Sequence, residues 1–214
     1  MTSAVTICNL ALAHIGAAQQ VMSIDPPDGG VLAGFCARFY PHARREMLEH
    51  PWRFARRRTA LVLHAEGPPP GWLFAYALPA GCIAPKRIVA PFPATPLPWS
   101  MDSDLYWLPR FDNGAGAPFE VEGQRLFTNQ PNAVLLHTVD VTDTSVYTPG
   151  FVSSLALRLA GYLAGSVIKG RDGLQARDRL HQEARALAEM HLARDANAGQ
   201  EGRHPLPDTV AARL

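Results

Sequence analysis

The stretch LAGFCARFYPHARREMLEHPWRFARRRTALVLH, residues 32–64, decides the fold class, because the spacing of its apolar residues changes within it. Leu32, Phe35, Phe39, Ala43 and Met47 recur at intervals of three, four, four and four, which places them on one helix face. Pro41 lies inside this run and predicts a kink or break near Phe39 and Tyr40. His50-Pro51 ends the helix, since the residue before a proline is pushed out of helical geometry. Beyond Trp52 the helical period is lost. Thr59-Ala60-Leu61-Val62-Leu63-His64 is short and β-prone.

Outward from this switch, both ends of the chain read as helix. Val5, Cys8, Leu12 and Ile15 share a face, with Thr2 or Ser3 as a cap and Gly16 as a stop. Asp25-Pro26-Pro27-Asp28-Gly29-Gly30 reads as a turn. Near the other end, Phe151, Leu155, Leu159, Tyr162 and Leu163 form one helix face, and Gly161 and Gly165 allow a second helix to approach closely. After residues 169–173 another helix runs to about Arg194, with Leu180, Ala184, Leu187 and Met190 inward. Between these ends lie strand-like runs at residues 72–78, 119–123, 125–128 and 134–141. Many of the 19 prolines fall in this middle part, and proline disfavours central strands. The expected fold is α+β. Residues 1–55 and 150–196 form a helical bundle, 56–149 form a small antiparallel sheet or sandwich with long loops, and 197–214 form an extended tail.

Composition bounds the function. The chain has 214 residues, 20 Lys+Arg against 19 Asp+Glu, and a net charge of +1. Apolar residues make up 47 %, which excludes a disordered chain. The near-zero charge excludes a protein that simply coats DNA. Charged residues are 18 %, against about 25 % in an average domain, which leaves neutral surface for other chains to cover. Cys8, Cys36 and Cys82 form no CxxC pair and read as reduced core residues. The N-terminal residues lack the basic region of a secretory signal. In residues 151–168 the only formal charge is Arg158, and a mid-segment arginine with several Ser and Gly argues for a buried or subunit-facing helix over a membrane span.

No catalytic motif is present. Residues 165–172 have the glycine spacing of a P-loop but Arg171-Asp172 where Lys and Ser/Thr are required. There is no nucleophile elbow, dinucleotide loop or HExxH pair, and the eight histidines are scattered. No catalytic, cofactor or metal residues are therefore assigned, and the chain is expected not to be an enzyme. Asp102 and Asp104 beside Trp99, Tyr106 and Trp107 are the nearest thing to a two-carboxylate site and read as a solvated loop. The clearest charge feature is residues 38–58, where Arg38, Arg44, Arg45, Arg53, Arg56, Arg57 and Arg58 face only Glu46 and Glu49. With Trp52 and Phe54, these arginines could bind nucleic acid. They suit subunit salt bridges better, so a small DNA-binding module is the alternative function.

Several blocks carry a family resemblance. They are Thr6-Ile7-Cys8-Asn9-Leu10-Ala11-Leu12-Ala13-His14-Ile15-Gly16 with Ser23-Ile24-Asp25, then Tyr40 with Arg44-Arg45-Glu46-Met47-Leu48, and His50-Pro51-Trp52-Arg53-Phe54-Ala55. Trp72 with Tyr76-Ala77-Leu78-Pro79, Leu126-Phe127-Thr128-Asn129, Val139-Asp140-Val141-Thr142-Asp143 and Phe151-Val152-Ser153-Ser154-Leu155-Ala156 with Leu159-Ala160 follow in order. Together they resemble the head-to-tail adaptor family of short-tailed bacteriophages, also called tail tubular protein A, over about residues 5–165. Gly81 stands where the family often has aspartate, His137 where an aromatic is common, and residues 91–113 match no part of it.

The resemblance implies a structural virion protein at the head–tail junction, made in the bacterial cytoplasm, with no cofactor and no membrane. It implies a twelve-fold homo-oligomeric ring between the portal protein and the tail nozzle protein, extending the channel for packaged double-stranded DNA. The helical part would contact the portal and neighbouring subunits, and the C-terminal segment would reach the portal. On that basis Arg203, Val210, Arg213 and Leu214 are candidate portal-binding residues. Arg53, Arg56, Arg57, Arg58, Arg158, Gly161 and Gly165 are candidate subunit-interface residues.

Overall fold

The structure, a computed structural model, describes residues 2–89 and 116–198. Ser3 stands in extended backbone before α1 (Ala4–His14), and its hydroxyl accepts a hydrogen bond from the Thr6 amide. Gly16, at φ 72°, turns the chain out, as expected. The Asp28 carboxylate then accepts from the amides of Met22 (2.8 Å) and Gly30 (3.0 Å), which fixes the turn before α2 (Val31–Leu48).

Pro41 does not break α2, which runs through it. The proline sits on the exposed side, where water can serve the carbonyl it leaves without a donor. Buried residues on both sides of it keep the helix in place. The buried stripe is Ala33, Cys36, Tyr40, Ala43 and Met47. Leu32, Phe35 and Phe39 are only half-buried, so the expected stripe is rotated toward its rim. The chain leaves α2 at His50-Pro51 and puts Trp52 in the core. Its indole N–H donates to the Met47 carbonyl at 2.9 Å, and its ring meets Phe151 edge-on at 5.2 Å.

α3 (Pro149–Val167) starts from the Thr148 cap with proline in its first turn. It packs on α1, α2 and α4 (Gly170–Ala198). By length and composition α3 could cross a membrane, but more than half of it is buried among these helices. Gly150 lies against His191 and Gly161 against His181, so α3 and α4 run antiparallel. A β carbon on Gly150 would lie 2.5 Å from the His191 ring, so this glycine is a socket for a histidine. Among the described residues, the buried apolar side chains of α4 are Leu180, Ala184 and Ala188. Met190, expected inward, is exposed, because the small alanines let the two helices approach along a neighbouring stripe.

The chain divides into two units. The helical unit comprises the N-terminal part to Phe54 and the part from Val141 onward; the β unit is Ala55–Asp140. The second boundary falls earlier than the expected residue 149. Tyr147 explains this: its hydroxyl donates to the Val141 carbonyl at 2.6 Å, and its ring packs on Phe54 and Phe151 at 5.5 and 4.7 Å.

The β unit holds two antiparallel sheets. One has the order β1 (Arg56–Ala60), β7 (Val134–Val139), β4 (Cys82–Val89). The other has the order β2 (Val62–Leu63), β3 (Phe74–Ala77), β6 (Arg125–Thr128), β5 (Phe119–Glu122). Gly123, at φ 59°, makes the tight turn between β5 and β6. Tyr76 and Leu126 of one sheet pack with Ile88 and Leu135 of the other in a shared core. The strand β4 was not anticipated, because Pro85 lies in its middle. It is tolerated because β4 is an edge strand and its pairing with β7 is irregular around that residue. Cys8 and Cys36 are buried, Cys82 is half-buried, and all three are free thiols.

Candidate interaction surfaces

The seven arginines of residues 38–58 are divided between the two units. Arg38, Arg44, Arg45 and Arg53 belong to the helical unit, and Arg53 donates to the Asp195 carbonyl at 3.4 Å. Arg56, Arg57 and Arg58 make up most of β1, and all three are exposed. β1 pairs with β7 so that Arg56, Arg57 and Arg58 stand opposite Thr138, His137 and Leu136. Side chains alternate along a strand. Arg57 and Thr59 therefore share the side of His137, where the Thr59 hydroxyl and the His137 Nε2 are 3.0 Å apart. Arg56 and Arg58 share the other. His137 is buried, and burial first, then the nearby Arg57 charge, push its pKa below the usual histidine value.

The aromatic partners of these arginines are not available for stacking on bases. Trp52 is fully buried, and Phe54 is half-buried against Trp52, Tyr147 and Phe151. A nucleic-acid contact at this stretch would rest on charge alone.

Arg158, Gly161 and Gly165, expected at a subunit interface, have neighbours within their own chain. Arg158 makes a two-pronged ion pair with Glu46 of α2, its Nε 2.8 Å from Oε2 and its Nη2 on Oε1. The Tyr162 hydroxyl donates to the same carboxylate at 2.8 Å, and His42 Nε2 lies 3.3 Å from that hydroxyl. Phe39 stacks on Tyr162 at 5.8 Å, and His181 meets it edge-on at 4.8 Å. Burial alone would raise the Glu46 pKa. The hydrogen bonds from Arg158 and Tyr162 and the Arg158 charge outweigh it and hold the carboxyl below its ordinary value. Burial and the Glu46 carboxylate raise the Tyr162 pKa. Burial, then the Arg158 charge, lowers that of His181. This carboxylate is committed to its partners, so the cluster fastens α2 to α3 and is unsuited to moving protons. Sequence reading missed Glu46; the clue was an apolar helix whose single charge needs a counter-charge.

Gly161 gives way to the His181 ring, and Gly165 lies in ordinary contact with the Arg177 side chain. The close helix approach was expected from their spacing; the approaching helix is α4 of the same chain.

On the β unit, β5 exposes Glu120 and Glu122, and Trp72 donates its indole N–H to Glu120 at 3.1 Å. Arg125 pairs with Glu66 at 2.8 Å. Val62 and Leu63 of β2, with Leu73 just before β3, are strongly exposed apolar side chains. Among the described residues no group of three His, Cys, Asp or Glu could hold a metal ion. Asp102, Asp104, Arg203, Val210, Arg213 and Leu214 lie outside the described residues. No family model matches this sequence, and no curated protein matches it.

Proposed function

We propose that the chain is a structural head-to-tail adaptor of a short-tailed bacteriophage, forming a ring between portal and tail nozzle that extends the DNA channel. The observation that carries this reading is the run of ordered sequence blocks over about residues 5–165 that resembles that family. The α+β organisation supports it: both ends of the chain build one helical unit, and the strands form a separate insertion. In this reading the chain is a passive conduit. Exposed side chains pair across subunits, and residues 199–214 order on the portal, at a cost in conformational entropy.

The test is co-sedimentation of the purified chain, full-length and ending at residue 198, with the portal ring encoded by the same genome. The full chain binds the portal stoichiometrically, and the shortened chain keeps its fold but binds more weakly. A portal left bare by the full chain overturns the proposal; equal binding by both chains overturns the role of the tail. A DNA-binding module is the second reading, favoured by the three exposed arginines of β1. It predicts binding to a short duplex with a steep dependence on salt.

A further inference from the structure

Two of the three thiols meet in the helical unit. Cys8 belongs to the buried stripe of α1, with Ile7, Ala11 and Leu12, and Cys36 to that of α2, between Ala33 and Tyr40. Both are fully buried free thiols. α1 and α2 each pack on α3 and touch one another over little surface. At that narrow contact the Cys8 side chain hydrogen-bonds the Cys36 side chain. Tyr40, one turn beyond Cys36, also lies close enough to Cys8 to feel its charge. A disulfide needs two sulfurs about 2.05 Å apart on side chains that point at each other. Thiols already in hydrogen-bond contact approach that geometry by side-chain rotation.

We propose that Cys8 and Cys36 are a redox pair, which hydrogen peroxide converts to a disulfide joining α1 to α2. The contact makes the two sulfurs unequal. The hydrogen bond from Cys8 outweighs burial and the Asp28 charge and holds the Cys36 thiol below its usual pKa. The same bond, then burial, raises that of Cys8. Cys36 is therefore the nucleophile, and Cys8 the thiol that follows. The Cys36 thiolate attacks a peroxide oxygen: the S–O bond forms, the O–O bond breaks, and the leaving hydroxide takes up a proton. The Cys8 sulfur then attacks the Cys36 sulfur: the S–S bond forms, the S–O bond breaks, and water leaves with the Cys8 proton. Two thiols and one peroxide give one disulfide and two waters. The new bond closes the loop of residues 8–36, whose middle is otherwise held to α1 by the Asn9–Val21 hydrogen bonds at 2.9 and 2.8 Å. Both sulfurs are buried, so the reaction waits on local opening of the helices and is slower than that of an exposed thiol. Burial alone acts on Cys82, half-buried in the β unit, so no second thiol stands by it. The redox pair stands apart from the adaptor reading.

The test treats the folded full-length chain with excess hydrogen peroxide and counts thiols after denaturation without reductant. Three thiols become one, Cys82, and peptide mapping finds Cys8 joined to Cys36 within a single chain. A reductant restores all three. The linked chain melts about 5–10 °C higher than the reduced one, because the bond restricts the unfolded chain. Cys82→Ser keeps the link, whereas Cys8→Ser and Cys36→Ser each leave no link within the chain. Circular dichroism checks the fold of each variant, and Cys82→Ser leaves both thiols of the pair in place, so the test stands even where a core variant fails to fold. The proposal is overturned if all three thiols survive prolonged exposure, or if the lost thiols are found as sulfinic acids. It is equally overturned if the link includes Cys82, or if it forms only once the chain is unfolded in urea. A linked chain that melts lower than the reduced one overturns the joining of α1 to α2.

Discussion

Gly161 and Gly165 lie one turn apart on α3, yet the structure gives them opposite responses to an added methyl group. A β carbon on Gly161 would sit 2.7 Å from His181 Cε1 and 2.8 Å from Nδ1, well inside contact distance. The His181 ring cannot swing aside cheaply, because it is half-buried and held edge-on against Tyr162. A β carbon on Gly165 would meet nothing nearer than Arg177 Cδ at 3.7 Å, an ordinary contact on an exposed residue. Replacing a helical glycine by alanine gains about 1 kcal/mol in helix propensity. Overpacking costs about 1–3 kcal/mol. Gly165→Ala should therefore stabilise the helical unit by about 0.5–1 kcal/mol, where only the propensity acts. Gly161→Ala should destabilise it by about 1 kcal/mol, the difference of the two effects. Urea denaturation followed by circular dichroism at helical wavelengths measures both. Adding His181→Ala to Gly161→Ala removes the clash, so the double variant should show favourable coupling. Two glycine variants that shift stability equally, or a double variant that is merely additive, would refute the packing described for α3 on α4.

Glu46→Gln removes the counter-charge of Arg158, whose side chain is 22 % exposed against 29 % for Glu46. This lies between a buried pair, at about 3–5 kcal/mol, and a surface pair near zero, so a loss of about 2 kcal/mol is expected in chemical denaturation. A loss under about 0.5 kcal/mol, the size of a surface effect, would count against it. Burial lowers the pKa of both His137 and His181, so the fold disfavours their charged forms, whereas the unfolded chain titrates near the ordinary histidine value of 6.5. Below that pH the unfolded chain takes up protons that the native one resists, so stability present above pH 6.5 falls as the pH drops through it. Denaturation at a series of pH values should show this decline, reduced in His137→Gln; a flat profile across the histidine range would contradict it.

The α+β class could be read from one place, the change of spacing between Met47 and Thr59. The helices at both ends followed from periodicity and caps, because Ser3, Thr148 and Gly16 act within a few residues of where they stand. The face each helix buries was harder to read. Phe35 and Phe39 looked like the centre of a stripe and lie at its rim, because small residues such as Ala33 and Cys36 let neighbouring helices come closer than large ones do. β4 escaped notice because Pro85 argues against a central strand, and edge position is a property of topology that local sequence does not carry. The same limit applies to Arg158 and Gly161. Their chemistry announced a counter-charge and a close neighbour, but spacing alone cannot say whether these come from the same chain or another.

Electron microscopy of the purified chain, alone and mixed with the portal ring of the same genome, tests the adaptor role most directly. The proposed role predicts a second ring layer on the portal, with the portal's symmetry and a continuous central channel. A bare portal beside unassembled chain would contradict it.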